Sequence, residues 1–576
     1  MLSFVVLEPP GTTSAFALRH ACCLGPDDNP IQATIALEAD AIRIDRPTTD
    51  STALCLQFPV GPATPGAQPL GLLTLRTCLL PDRAEPYLLS IELARHRIML
   101  VLNKLEQWAM FDLASDSPGM VEFEQARAEF TNALVAMCHR GPTGPDETSM
   151  RQADAAARRA LALAIDASER LTLLQAERQL RSRIDGSAFK EATERIEKID
   201  TVGADRVMPE GAAKPPDGVG IVLPRPASVG VAINPAAFAD VLTKVAASTS
   251  DFISMPMRWI DMEPTEGKYA FAKTDKWIEW AVRTAKVPVH AGPLIDFREL
   301  CVPEWLYIWE HDYETLRELV YEHVKSLVTR YRKTVTRWTV CSGLHVNESF
   351  AMTLERMMDL TRICALLVRK LQPGAKVQVE VARPWGEYIA SNKRSMPPRL
   401  YAEMIQTAGI AIDALAIRIQ MGHPLNAAAG RSTRDLMAIS DLLDRYAELD
   451  KPIAITALGA PSAPITPAPP ILRGSKPAAP AEDPGYWRQP WSPAAQQAWL
   501  REVVRICASK PFVTSVCWQD LYDLPPAQAA GNSLGAGGSE MPFGGLLTDQ
   551  GAPKPAAATL AELRRAIHPM HAAKGA

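Results

Sequence analysis

Four carboxylates fall at or near the C-terminal ends of predicted strands: Asp296, Glu348, Glu387 and Asp520. Two carboxyls held a few ångströms apart can share acid and base work, because each shifts the other's proton affinity. Glu348 and Glu387, from neighbouring strands, make the best pair of this kind. Arg258, Arg298, Arg383 and Arg418 lie near the same rim, where guanidinium forks suit an anionic or strongly hydrogen-bonding ligand. The competing reading is that these arginines neutralise Asp296, Glu387 and Asp520. Trp259, Trp385 and Trp518 also fall at strand ends, while Trp487 and Trp491 sit on a proline-rich loop. An indole face can stack on a ligand or fill a core. Ten cysteines are scattered without a CxxC pair, which reads as buried thiols and gives no metal site. No cofactor is implied.

These side chains depend on a regular alternation of elements. Apolar strand candidates occur at 229–233, 252–257, 287–295, 335–341, 376–382, 413–419, 452–456 and 512–518, each followed by an amphipathic helix candidate. Eight β-then-α units in about 350 residues is the count for a closed parallel barrel, with an open doubly wound sheet as the alternative. The expected fold class is therefore α/β, a C-terminal (β/α)8 barrel preceded by other modules. Residues 1–85 alternate short apolar runs with Pro, Gly and Asp clusters, as in a β-sandwich-like module. Residues 86–200 read as a helical bundle, 201–227 as a linker and 228–576 as the barrel. In the bundle, Met150, Ala157, Ala164 and Leu171 recur every seven residues, as do Ala153, Ala160, Ala167 and Leu174. Such seams let helices approach closely, within one chain or between copies, so a homo-oligomer through this bundle is a further expectation. The loops 459–492, with nine prolines, and 524–546 follow strands seven and eight, where barrels place ligand contacts.

Composition narrows the function classes. The chain has 576 residues, and its net charge of −4 gives no polyanion-binding signature, so no nucleic-acid partner is expected. No apolar run approaches the roughly 20 residues of a spanning helix, so no membrane partner is expected either. The start, MLSFVVLEPPG, lacks a basic segment and a long apolar stretch. It therefore reads as cytoplasmic, with export by an unrecognised route left open.

Two segments carry a family resemblance. One is Arg258–Asp275, RWIDMEPTEGKYAFAKTD; the other is FVTSVCWQDLYD followed by FGGLLTDQGAPKPAAATLAELR. Over about 230–568 the chain resembles glycoside hydrolase family 10, the xylanases. The resemblance implies a barrel with a cleft for a β-linked, xylan-type polysaccharide or oligosaccharide. It also implies two catalytic glutamates, one flanking each side of the scissile bond. In RWTVCSGLHVNESF, the family's Asn-Glu pair falls on Ser342 and Gly343; in PIAITALGAP, the nucleophile falls on Ala457. Glu348, beside Asn347, lies five residues further on, about 16 Å in extended chain, and is equivalent only if an insertion loops it back. The family's strand-two Glu-Asn falls on Ser254 and Met255, and Gln420 and His423 stand for its Gln-x-His only with a small shift. The expected site therefore has Glu348 and Glu387 as catalytic candidates. Arg258, Trp259, Asp296, Asn347, Trp385, Gln420, His423, Trp518 and Asp520 are its substrate-binding candidates. The expected function is a glycan-acting or glycan-binding protein with non-standard or lost catalytic carboxylates. A non-catalytic scaffold is the alternative.

Overall fold

The computed structural model describes residues 2–8, 16–39, 41–138, 140–141, 144–204, 223–298, 301–422, 431–464, 483–524 and 541–568. Most of the 201–227 linker, His423 and much of both long mouth loops lie outside them. Eight parallel strands close on themselves: Ser228–Ala232, Phe252–Met255, Val289–Ala291, Val335–Ser342, Lys376–Val381, Ala414–Gln420, Ile453–Gly459 and Val513–Trp518. In chain order they are barrel strands one to eight. Strand three pairs with strands two and four, and strand eight with strands one and seven, so the sheet has no free edge. These strands read as near-continuous apolar runs because helices cover the outside and side chains fill the lumen.

The segment after strand two shows how local chemistry fixes the scaffold. Trp259 Nε1 donates to Glu263 at 2.9 Å, and the Gly267 amide donates to the other carboxylate oxygen at 2.8 Å. Gly267 takes a φ of 72°, which a residue with a Cβ resists. His323 Nδ1, 3.2 Å from the same carboxylate, stacks on Trp259, so the helix Tyr313–Tyr331 is pinned to this turn. Burial alone would raise Glu263's proton affinity, but bonds from His323, Gly267 and Trp259 outweigh it and hold the carboxyl below its ordinary value. The fold therefore favours ionised Glu263. Its contribution is complete above the unfolded carboxyl's pKa of about 4.3 and is lost as pH falls through the lower folded value. Glu263→Gln is expected to destabilise the protein by about 1–3 kcal/mol at neutral pH, since it leaves buried donors unmatched. Urea midpoints of both proteins at pH 7 and in acid check this, and a gap that fails to narrow in acid would count against it.

The N-terminal residues are built into the barrel. One sheet has four strands: Thr34–Glu38, Ala41–Asp45, Leu2–Val5 and Tyr87–Leu88. The other runs Pro30–Ile31, Cys22–Leu24, Ala53–Val60 and Gly71–Arg76, and its fifth strand is Tyr486–Trp487, from the loop after barrel strand seven. Three long helices follow the sheets: Leu89–Gln107, Pro118–Cys138 and Glu147–Ile184. The small-residue seam is spent inside the chain: Ala153, Ala157, Ala160, Ala164 and Ala167 are buried. Ala153 and Ala157 cluster with the two preceding helices, Ala164 and Ala167 with those helices and the barrel's Met437, and Ala160 joins the main core.

Buried polar contacts tie the helices to the barrel wall. Arg97 makes a two-pronged bond to Asp435, at 2.7 and 2.5 Å. Asp435 also caps the helix Leu436–Ala447 by accepting from the Ala438 amide. Glu169 accepts from Trp487 Nε1 at 2.7 Å and from the Leu436 amide at 3.2 Å. Fourteen residues further along the same helix, about 21 Å by its rise, Arg183 reaches the far end of the barrel. Its guanidinium donates there to the carbonyls of Ala508, Lys510, Val513 and Arg225. Among the described residues, no helix is long and apolar enough to cross a membrane.

Candidate functional site

A cavity opens at the C-terminal ends of the barrel strands, where parallel barrels present their loops. Glu380, on strand five, faces into it. Its neighbours Val377, Val379 and Val381 are buried, and Gln378 shares its inward face, donating to Thr339 on strand four at 2.8 Å. Glu380 accepts from Ser342 on strand four at 2.6 Å, from Arg418 on strand six at 3.1 Å, and from Thr456 on strand seven. One carboxylate thus ties three strands together. Arg418 also donates to Gln519 at 3.0 Å, and Gln420 donates to the same oxygen at 2.6 Å.

The rest of the wall is mixed. Arg258 holds Asp261 at 2.6 Å, and both line the cavity with Asp520. His290 also lines it and stacks on Phe252; burial, with Arg337 nearby, pushes its proton affinity well down, so the ring is neutral at pH 7. Ala457 contributes a methyl from strand seven. At the end of strand four, Gly343 has a φ of 64°, and a Cβ built there would lie 3.1 Å from Arg298 Cδ. Arg298 is held in that place by Asp296, which accepts from its Nε at 2.9 and 3.0 Å.

The Glycosyl hydrolase family 10 model matches residues 224–362, from the first barrel strand into the helix after strand four. Over that stretch the barrel is similar to the family 10, xylanase-like type. Endo-1,4-beta-xylanase 2 of Aureobasidium pullulans is 23% identical over 226 residues, 37% of this chain and 60% of the relative. Endo-1,4-beta-xylanase B of Thermotoga neapolitana is 31% identical over 84 residues, 15% of this chain and 23% of the relative. The chain thus spans less than two thirds of either relative. Among solved structures, xylanase 10B from Thermotoga petrophila RKU-1 in complex with xylobiose is 17% identical, with a TM-score of 0.42, over 59% of this chain and 95% of that one.

Within this barrel, the residues singled out by sequence separate into two groups. Arg258 and Asp520 line the cavity, and Gln420 sits one hydrogen bond behind it. The others lie elsewhere. Asp296 is buried against Arg298. Asn347 locks its own loop, donating to the carbonyls of Met352 and Arg394 and accepting from the Met352 amide. Glu348 pairs with Arg383 at 3.3 Å. Glu387 is turned toward the N-terminal sheet, where Arg434 holds it at 2.5 Å and Ser432 donates at 2.9 Å. The structure therefore does not bring Glu348 and Glu387 together at the cavity; arginines hold each of them elsewhere.

The tryptophans are also directed inward. Trp259 and Trp518 are 2% and 1% exposed, which leaves no indole face for a ligand. Trp518 Nε1 donates to Gly544 O, Trp491 Nε1 to Gly485 O, and Trp385 lies under the Arg434 guanidinium. Each of these rings has its polar edge or face matched by protein. Of the five, none is an open stacking platform in the described residues. Glu380 was missed because KVQVEV reads as an ordinary strand. The available signal was an acid at an inward position of a buried apolar run, where an unpaired charge is costly.

Proposed function

We propose that the chain binds a xylan-type, β-linked oligosaccharide or polysaccharide at the barrel mouth and does not hydrolyse it by the two-carboxylate route. The family 10-type barrel supports the ligand class. The observation that supports the loss is Ala457, which lines the cavity and stands where the sequence resemblance would put the nucleophile. A methyl can neither attack an anomeric carbon nor steady an oxocarbenium ion, whereas retention needs two carboxyls about 5–5.5 Å apart. The nearby acids are engaged, Glu380 by Arg418 and Asp261 by Arg258. Hydrogen-bonding groups at the mouth, Arg258, Gln378, Gln519 and Asp520, suit sugar hydroxyls.

A second reading rests on Glu380. It is 2% exposed, lines the cavity and reaches three strands, so it is the strongest candidate for a replacement catalytic carboxylate. One experiment separates the two readings. The purified chain is incubated with xylan, mixed-linkage glucan and acidic glycans, with binding measured by calorimetry and hydrolysis by released reducing ends. Glu380→Gln, Glu348→Gln and Glu387→Gln are tested in parallel. The expected result is saturable binding without hydrolysis, with affinity for the bound glycan reduced about tenfold by Arg258→Ala, the loss of one charged hydrogen bond. Hydrolysis abolished by Glu380→Gln would favour the second reading, and hydrolysis abolished by Glu348→Gln or Glu387→Gln would restore that pair. Absence of binding to every glycan would overturn the proposal.

A further inference from the structure

The N-terminal sheet carries a second reactive centre away from the barrel mouth. Cys22 and Cys55 are direct partners in an antiparallel pair of strands. Their side chains share one face, since they cluster with Leu24 and Ala53, while Cys23 packs into the main core. Directly opposed residues in such a pair have Cα atoms about 4.5–5.5 Å apart, within the 4.4–6.8 Å a disulfide spans. Both cysteines are free thiols. They line a cavity at the seam between sheet and barrel, together with Arg76, His96, Trp385 and Arg434.

The two sulfurs are not equivalent. Arg434 Nη2 lies 4.0 Å from Cys55 Sγ. The neighbouring Cys22, with the Arg434 guanidinium, outweighs burial and Glu387 and lowers Cys55's proton affinity. The neighbouring Cys55, with burial, raises that of Cys22 well above the ordinary thiol value. A thiolate-prone cysteine beside a protonated one, at the wall of a cavity, is the arrangement of an attacking and a resolving thiol.

We propose that Cys55 and Cys22 form a peroxide-reactive pair, Cys55 attacking and Cys22 resolving. The Cys55 sulfur attacks one oxygen of hydrogen peroxide. The O–O bond breaks, a proton goes to the leaving hydroxide, and Cys55 sulfenic acid and water form. The Cys22 sulfur then attacks the Cys55 sulfur, the S–O bond breaks, and the Cys22 proton leaves with that hydroxyl as a second water. Two thiols and one peroxide thus give one disulfide and two waters, the sulfurs being oxidised and the peroxide oxygens reduced. The disulfide draws Cys55 away from Arg434, which stays bound to Glu387 and Ser432 on the loops after barrel strands five and six.

The test uses the full chain in a Cys138→Ser background, because Cys138 is exposed and would react on its own account. The protein is treated with one equivalent of hydrogen peroxide, remaining thiols are blocked, and the digest is read by mass spectrometry without reduction. The expected product is a Cys22–Cys55 linked peptide formed about ten times faster than oxidation of Cys507 or Cys517, which lack this setting. Cys22→Ser should instead leave Cys55 sulfenic acid, trapped by dimedone, while circular dichroism shows the fold intact. The proposal is overturned if Cys22 and Cys55 stay reduced while other thiols oxidise. A linked peptide containing Cys23 in place of Cys22 would overturn it as well. Because the wild-type pair is read directly, misfolding of the serine variant leaves the test decisive.

Discussion

Arg183→Ala should destabilise the protein by about 3–5 kcal/mol, because several buried carbonyls each lose a donor worth about 1–3 kcal/mol to leave unmatched. Arg183 is 2% exposed, and burial pulls its guanidinium affinity for a proton down to about 10. The structure compensates with backbone oxygens. Ala508 and Lys510 end the helix Pro493–Ser509, where carbonyls lack helical partners and carry the negative end of the dipole. Val513 opens barrel strand eight, and Arg225 precedes strand one. Four acceptors from both sides of the barrel's closing seam therefore meet one five-donor fork. Arg183→Met keeps the stem and removes the fork, so it should lose most of the same amount; Arg183→Lys, with three donors on a point, should fall between. Chemical denaturation followed by tryptophan fluorescence measures all three. Loss of less than about 1 kcal/mol in both alanine and methionine variants would show that water replaces the fork.

That contact was invisible in the sequence, and the reason is physical. Arg183 sits in an ordinary charged helix end, RQLRSRI, and its partners are backbone atoms that no side-chain pattern marks. The same holds for the sheet completed by Tyr486–Trp487, since a two-residue strand paired with Gly71–Arg76 leaves no periodicity to detect. What was legible is local. Glu263, Pro264 and Gly267 specify a turn through their own backbone preferences, and it forms with the carboxylate anchoring it. The eightfold alternation of strand and helix was legible because burial on both faces forces continuous apolar runs. The site was read less well. Rim carboxylates and arginines were recognised, but which arginine takes which acid depends on distances that spacing does not encode. Glu387 went to Arg434, 47 residues away, and Glu380 to Arg418, 38 away. The tryptophans were ambiguous from the start, because an indole suits a core as well as a cleft.

Placing a glutamate at position 343 should give no catalyst, and should destabilise the barrel. Gly343 has a φ of 64°, a conformation that costs a residue with a Cβ about 1–2 kcal/mol. The Cβ would also lie 3.1 Å from Arg298 Cδ and 3.2 Å from its Nε. Those are mid-chain atoms of a side chain fixed by Asp296, so the neighbour cannot swing aside cheaply, and overpacking of this kind costs about 1–3 kcal/mol. Gly343→Ala, which isolates both terms from any new charge, is therefore expected to lose about 2–5 kcal/mol in urea denaturation. Combining it with Arg298→Ala should recover the packing part and leave the backbone part. In the same way, Gly343→Glu with Ala457→Glu should release no reducing ends from xylan, because the Cβ of the first glutamate crowds Arg298 and the backbone there resists any Cβ. A neutral Gly343→Ala would refute the steric account, and hydrolysis by the double glutamate variant would show that only two side chains separate this mouth from a working one. If neither occurs, one substitution does not make room for an acid at the end of strand four: its Cβ would crowd Arg298, which Asp296 fixes in place.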